Sequence, residues 1–194
     1  MKLKVAPRSD SIVMEVETRE EELPPIAVPE LNLKKILLPV DFSDCSQKAL
    51  HYAISFARQF QAQLLLLHVL ESVYPPPELL VVDSSALDSR VREEAQRQLA
   101  AWAKEVPGIP LRSVIRSGSP HVEIVAAAQE DNTDLIILGT HGRSGMAHLF
   151  LGSTAERVVR RAPCPVMVVR EREHDFIKMP KAGTVTRRSR SRTR

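Results

Sequence analysis

One stretch of the chain, from Leu135 to Val169, constrains the fold more than any other. A short apolar run ends at Gly139, a glycine-bearing loop follows, and from Ser153 onward apolar residues recur at helical spacing. The stretch holds four of the seven glycines of the chain, which are Gly139, Gly142, Gly145 and Gly152. The pattern therefore predicts a strand, a glycine loop and a helix in succession.

A glycine loop that leads into a helix is typical of a phosphate-binding site. Glycine lets backbone amides turn toward one point, and the free amides and positive dipole end of a helix start attract an anion. Here Gly139 and Gly142 are followed by nine residues and then by Gly152 and Ser153, which is neither a P-loop nor a dinucleotide fingerprint. The loop predicts a phosphate site, and the alternative is that its glycines only make turns.

The glycine spacing resembles the ATP-binding motif of the universal stress protein family. Two further segments support this resemblance: residues 162–169, A-P-C-P-V-M-V-V, look like the family's last strand, and residues 39–43, P-V-D-F-S, look like its first-strand motif. The resemblance covers residues 34–170. It implies a five-stranded sheet of order 3-2-1-4-5 and, usually, a homodimer through the last strand, here Val166, Met167, Val168 and Val169.

Apolar runs and helical periodicity alternate along residues 34–170. Strands are predicted at residues 36–41, 63–70, 111–116, 134–138 and 166–169. Helices are predicted from a cap at Ser43 or Asp44 to Phe60, at residues 85–106, and from Ser119 and Ser153 onward. Strands that alternate with helices form parallel sheets through right-handed crossovers. The prediction is an α/β fold: a single doubly wound five-stranded parallel sheet with helices on both faces. The inner stripe expected for the second helix is Leu87, Val91, Ala95, Leu99, Trp102 and Val106.

Charge is distributed unevenly along the chain and predicts three regions. Residues 1–33 carry four Lys/Arg and seven Asp/Glu, and residues 171–194 carry eight and three, so their net charges are −3 and +5. Neither region shows sustained periodicity. We predict a flexible leader at 1–33, a nucleotide-binding domain at 34–170 and a basic, disordered tail at 171–194, which ends in five arginines within residues 187–194.

Composition argues against several other classes of protein. Two cysteines make neither a disulfide framework nor a zinc motif, so a reducing compartment is expected. No apolar run is long enough to span a membrane, and residues 1–33 lack a secretory signal and are rich in acids. The expected location is the cytoplasm.

Ligands of such sheets bind beyond the carboxyl ends of the strands, where the strand order reverses. The resemblance implies that Asp41, which ends the first strand, faces the nucleoside, and that the backbone at His68-Val69 meets adenine. It also implies that the glycine loop holds the triphosphate, with Mg²⁺ shared between phosphates. The candidate nucleotide-binding residues are Pro39, Val40, Asp41, Val69, Leu138, Gly139, Gly142, Arg143, Gly152, Ser153 and Thr154.

Several of these residues have structural alternatives. Ser153 and Glu156 have the spacing of a capping box, in which the serine caps the helix and the glutamate reaches back. Asp41 could simply form a turn, and Arg143 could be a solvated surface residue.

The predicted function is an ATP-binding stress-response or regulatory protein that senses or signals through the bound nucleotide. No general base, paired nucleophile or metal-ligand spacing stands out, so hydrolysis is expected to be weak at most. Two alternatives stay open: a slow ATPase or nucleotidyl-transfer enzyme on the same fold, and an adaptor whose arginine-rich tail contacts nucleic acid or acidic surfaces.

Overall fold

The three-dimensional structure is a computed structural model and describes residues 2–5, 12–15, 29–71, 84–140, 151–171 and 174–177. The chain divides into two units, Met1–Leu31 and Asn32–Arg194. In the first unit, strand β1 (Lys2–Val5) pairs antiparallel with β2 (Ile12–Glu15). These strands were not predicted, because four residues are too few for an alternating pattern to stand out. A flexible leader over residues 1–33 stays a prediction.

The second unit is built on a five-stranded parallel sheet. Its strands are β3 (Lys35–Val40), β4 (Gln63–Leu70), β5 (Leu111–Ser117), β6 (Leu135–Gly139) and β7 (Val166–Val169). They lie in the order β5-β4-β3-β6-β7, and all four neighbouring pairs are parallel. Counted within this sheet, the order is 3-2-1-4-5, so the predicted topology is confirmed.

Four helices cover the two faces of the sheet: α1 (Asp44–Phe60), α2 (Ser84–Ala103), α3 (Pro120–Asp131) and α4 (Ser153–Arg161). Alternate residues of β3 enter separate cores, since Ile36 and Leu38 pack with α1 and α2, whereas Leu37 packs with α3 and α4. All three side chains are at most 1% exposed. Burying each stabilises the fold by about 1.5–3 kcal/mol, so both layers are needed to hold the sheet.

Helix α2 differs from its prediction at one residue of its apolar stripe and in its carboxyl end, which is Ala103. Ala95 and Leu99 are buried as expected, but Val91 is 48% exposed, so its assignment to the inner face was wrong. The described side chains of residues 89–94 are all exposed, and the side chain of the predicted stripe residue Leu87 lies outside the described part. Helical spacing alone does not reveal where a helix loses contact with its neighbour. Val106 is buried in the turn that follows the helix.

Residues beyond β7 return to the surface of α1. Asp175 accepts a hydrogen bond from the Tyr52 hydroxyl at 2.9 Å and forms an ion pair with Lys48 at 2.8 Å. The Phe176 ring meets that of Tyr52 edge-on at 5.0 Å, and Ile177 packs against the α1 side of the core. This part of the predicted tail is therefore held by side-chain contacts, whereas the five arginines lie outside the described residues.

Within the described part of the chain, no helix is long and apolar enough to cross a membrane. Both cysteines are free: Cys45 is buried at the start of α1, and Cys164 is half-buried before β7.

Candidate functional site

A cleft of about 580 Å³ opens at the carboxyl ends of β3, β4 and β6. Its size is typical of a small-molecule site. Nine of the eleven predicted binding residues line it: Pro39, Val40, Asp41, Val69, Leu138, Gly139, Gly152, Ser153 and Thr154. The other two, Gly142 and Arg143, lie outside the described residues. Positions scattered over 116 residues of sequence therefore meet at one place.

The sheet topology explains why the cleft lies here. The chain leaves β3 toward β4 on one side, and β6 lies on the other side of β3, so the strand order reverses between them. Each right-handed crossover also brings the start of a helix to this edge. The first turns of α1, α3 and α4 all contribute lining residues, namely Ser46, Pro120, His121, Ser153 and Thr154.

Asp41 is fixed by hydrogen bonds from the start of α1. Its Oδ1 accepts from the backbone N–H of Ser43 at 3.1 Å, the Ser43 hydroxyl at 2.6 Å and the Ser46 hydroxyl at 2.5 Å. In turn, Ser43 Oγ accepts from the Ser46 N–H at 3.2 Å and so caps the helix. Asp41 therefore forms the turn that was its structural alternative and also lines the cleft.

Phe42 follows Asp41 in a backbone conformation that side chains rarely adopt, with φ of 65°. Its ring lies 4.5 Å from that of His68 and meets Trp102 edge-on at 5.5 Å. His68 Nδ1 donates to the Val40 carbonyl at 2.8 Å, because a carbonyl can only accept. His68 thus belongs to the packing behind the turn, while its neighbour Val69 lines the cleft.

The junction between β6 and α4 forms the second described wall. A Cβ added at Gly139 would lie 2.9 Å from Cys45 Sγ and 3.1 Å from the Cys45 carbonyl carbon, so glycine is required here by close packing against α1. Thr140 accepts a hydrogen bond from the N–H of Gly152 at 2.8 Å through its carbonyl. This bond joins the two ends of the predicted glycine loop, whose residues 141–150 lie outside the described part.

The predicted capping box is wrong. Gly152 is the N-cap of α4, with φ −56° and ψ 148°, and Ser153 is the first helical residue with no capping hydrogen bond. The Glu156 carboxylate reaches forward to Arg160 at 3.0 Å instead of back to the cap. Because Ser153 already lies inside the helix, its hydroxyl cannot face the amides of the first turn as a cap would.

The charges along the cleft are of both signs. Asp41 and Glu71 contribute carboxylates, and Arg157 contributes a guanidinium from the second turn of α4. Partial burial, followed by repulsion from Arg157 and Arg161, lowers the pKa of His121 below its ordinary 6.5. The described residues contain no group of three His, Cys, Asp or Glu side chains that could hold a metal ion.

Several lining residues were not predicted, chiefly Glu71, Ser119, His121, Thr140 and Arg157. Two of them could have been predicted from their positions in the sequence. Glu71 directly follows β4, and Arg157 lies four residues after Ser153, which is one helical turn. Ser119 and His121 belong to α3, and only the three-dimensional fold brings the start of that helix beside α4.

Comparison with known proteins finds relatives over most of the second unit. The model of the universal stress protein family matches residues 32–170. Universal stress protein MJ0531 of Methanocaldococcus jannaschii is 38% identical over 141 residues, which are 71% of this chain and 82% of that protein. Universal stress protein YxiE of Bacillus subtilis is 33% identical over 145 residues, 70% of this chain and 98% of that protein.

Solved structures show the same fold. Hypothetical protein MJ0577 of M. jannaschii matches with a TM-score of 0.66 and 32% identity, over 74% of this chain and all of that one. UspA from Lactobacillus plantarum matches with a TM-score of 0.60 and 34% identity, over 73% of this chain and all of that one. The match to the family model leaves out residues 1–31 and 171–194.

Proposed function

Because the chain belongs to the universal stress protein family, we propose that it is a regulatory protein that binds ATP and signals through the bound nucleotide. The observation that carries the proposal is the convergence of the predicted nucleotide-binding residues on a single cleft where the strand order reverses. The resemblance of the glycine spacing to the family's ATP-binding motif supports ATP as the ligand.

The residues of the cleft suit the parts of a nucleotide. Val69 would meet the base through its backbone, and Asp41, already fixed by Ser43 and Ser46, would accept from a ribose hydroxyl without having to be ordered first. The phosphates would lie at the first turn of α4, where Ser153 has a hydroxyl that caps no helix. Mg²⁺ would be held chiefly by the phosphates.

Isothermal titration with ATP tests this function. We expect the wild-type protein to bind and Gly152→Val to bind at least tenfold more weakly, because a side chain would block the approach of phosphate to α4. The observed φ and ψ of residue 152 are open to valine, so the variant should fold. Leu151→Val is the matched control, since Leu151 is adjacent but does not line the cleft.

Two results of that titration would overturn the proposed function. One is wild-type protein that takes up no adenine nucleotide. The other is a Gly152→Val variant with unchanged affinity, which would put the phosphates elsewhere. Mass spectrometry of small molecules that co-purify with the wild-type protein would identify the resident nucleotide independently.

We also infer a cytoplasmic homodimer that pairs through β7. This strand is at one edge of the sheet, and Val166, Met167 and Val168 are only half-buried in the single chain. An apolar edge strand invites pairing with a second copy. Val168→Lys would place two like charges near the two-fold axis, and light scattering should then report a monomer. A wild-type protein that is monomeric at micromolar concentration would contradict the inference.

The arginine-rich end of the chain, residues 187–194, suggests non-specific contact with polyanions. Deleting it should weaken retention on heparin and leave the affinity for ATP unchanged. A loss of ATP affinity on deletion would instead tie these residues to the nucleotide site.

A further inference from the structure

Arg157 is the cation that α4 presents to the cleft. It lies one turn after Ser153, and because helical side chains lean toward the amino terminus, its side chain leans toward the first turn of the helix. Arg157 lines the cleft, whereas Arg160 and Arg161 of the same helix do not. It is therefore placed beside the end of α4 where the amides and the dipole already favour an anion.

The charge of Arg157 is not neutralised within the described residues. The only carboxylate of α4, Glu156, pairs with Arg160, and no carboxylate of the described part lies within 4.0 Å of Arg157. The acids of the neighbouring helix α3 are engaged elsewhere, because Glu123 and Glu130 contact Arg116 and Asp131 contacts Lys35 and Arg112. An arginine that lines a cleft without an ion pair has its forked donors available for a ligand.

A second side chain on the same side of the cleft is affected by this positive charge. His121, in the first turn of α3, also lines the cleft, and its Nδ1 lies 3.0 Å from the Ser119 hydroxyl. After partial burial, repulsion from Arg157 and Arg161 is what lowers the pKa of this imidazole. The α3–α4 side of the cleft is thus a region where added negative charge would be stabilised.

The opposite side of the cleft has the opposite character. Asp41 and Glu71 place carboxylates at the ends of β3 and β4. A ligand that fits both sides has neutral hydrogen-bonding groups at one end and several negative charges at the other. A nucleoside polyphosphate has this distribution, and a monophosphate carries less of the charge.

We propose that Arg157 is a specificity-determining residue that selects nucleoside polyphosphates over monophosphates by binding the distal part of the phosphate chain. This inference rests on the proposed function, because it assigns a ligand class to the same cleft. Each added phosphate brings negative charge toward a guanidinium that has no competing partner. Preference among AMP, ADP and ATP should therefore depend on this side chain more than on the glycine loop alone.

The test is isothermal titration of AMP, ADP and ATP into the full chain and two variants. For Arg157→Gln we expect ATP affinity to fall about tenfold and AMP affinity by less than about twofold, since a charge-assisted hydrogen bond is lost only for the longer phosphate chain. Arg160→Gln is the matched control: it removes an arginine of the same helix that pairs with Glu156 and does not line the cleft, so all three affinities should stay unchanged.

The outcomes separate this inference from the proposed function. If the wild-type protein binds nucleotides and Arg157→Gln lowers the affinities for AMP and ATP equally, or changes neither affinity, the role of Arg157 is overturned and the nucleotide site stands. If Arg160→Gln reproduces the effect, the selectivity comes from the general charge of α4 and the inference is also overturned. A wild-type protein that binds none of the three ligands would overturn both proposals together.

Discussion

The two walls of the cleft are held in different ways. Around the turn from β3 to α1, side chains fix the backbone: Asp41 accepts three hydrogen bonds, Ser43 caps the helix, and the Phe42 ring packs against two others. At the junction of β6 and α4, the described contacts are mostly between backbone groups, such as the bond from Gly152 to Thr140, and the α4 cap is a glycine.

This difference predicts that the two walls contribute differently to stability and to ligand binding. The hydrogen bonds of the β3–α1 turn are formed within the protein and need no ligand, so its residues should contribute both to stability and to binding. At the β6–α4 junction, the side chains of Ser153 and Arg157 form no hydrogen bond or ion pair with the described residues. Their replacement should therefore affect ligand binding and leave stability nearly unchanged. Variants in which stability and ATP affinity are measured separately test this difference between the walls.

The largest loss of stability is expected where the two walls touch. Gly139→Ala should lower the free energy of unfolding by about 3 kcal/mol, because its Cβ would lie 2.9 Å from Cys45 Sγ in a closely packed region. Urea denaturation measures this. The double variant with Cys45→Ala should recover part of the loss but not all, since the Cys45 carbonyl carbon is 3.1 Å away. A fully stable Gly139→Ala protein would show that the glycine is not needed for packing.

The next largest effect is expected at Asp41. Replacement by alanine leaves the Ser43 N–H and two hydroxyls without their acceptor and should cost about 2 kcal/mol of stability. Asp41→Asn keeps an acceptor oxygen in the same place, so it should cost less than half as much in the same denaturation experiment. Equal losses in the two variants would mean that the negative charge, rather than the acceptor, holds the turn.

A matched pair of serines compares the walls directly. Ser43→Ala removes a capping oxygen and should lower stability by about 1 kcal/mol, whereas Ser153→Ala removes a hydroxyl that caps nothing and should change stability by less than about 0.5 kcal/mol. ATP affinity, measured by titration, should nevertheless fall in Ser153→Ala. Comparable stability losses in Ser43→Ala and Ser153→Ala would contradict the predicted difference between the walls.

The smallest effect is expected at the segment that returns to α1, where side-chain contacts continue away from the cleft. Hydrogen bonds from Lys48, and then from Tyr52, lower the pKa of Asp175 below its ordinary 3.8. A depressed pKa means that the folded state favours the carboxylate, so this stabilisation is present above the unfolded pKa and is lost as pH falls through the folded one. The difference in melting temperature between wild type and Asp175→Asn should therefore shrink below about pH 4, and a difference that is constant with pH would contradict the assignment.

The sequence was sufficient to predict the parallel sheet and most of the cleft, because long apolar runs and the glycine spacing are local patterns. It was insufficient where distant segments decide the outcome. Val91 has helical spacing but is exposed in α2, and Ser153 has capping-box spacing but the helix begins one residue earlier than that motif requires. Likewise, nothing near His121 in sequence indicates that the start of α3 would line the same cleft as α4.

A crystal structure of the full chain with bound ATP tests the central claim most directly. The account predicts that phosphate oxygens lie within about 3 Å of amide nitrogens in the first turn of α4, with the ribose beside Asp41 and the base beside Val69. ATP bound at another surface, or phosphates directed toward Glu71 and away from α4, would contradict it.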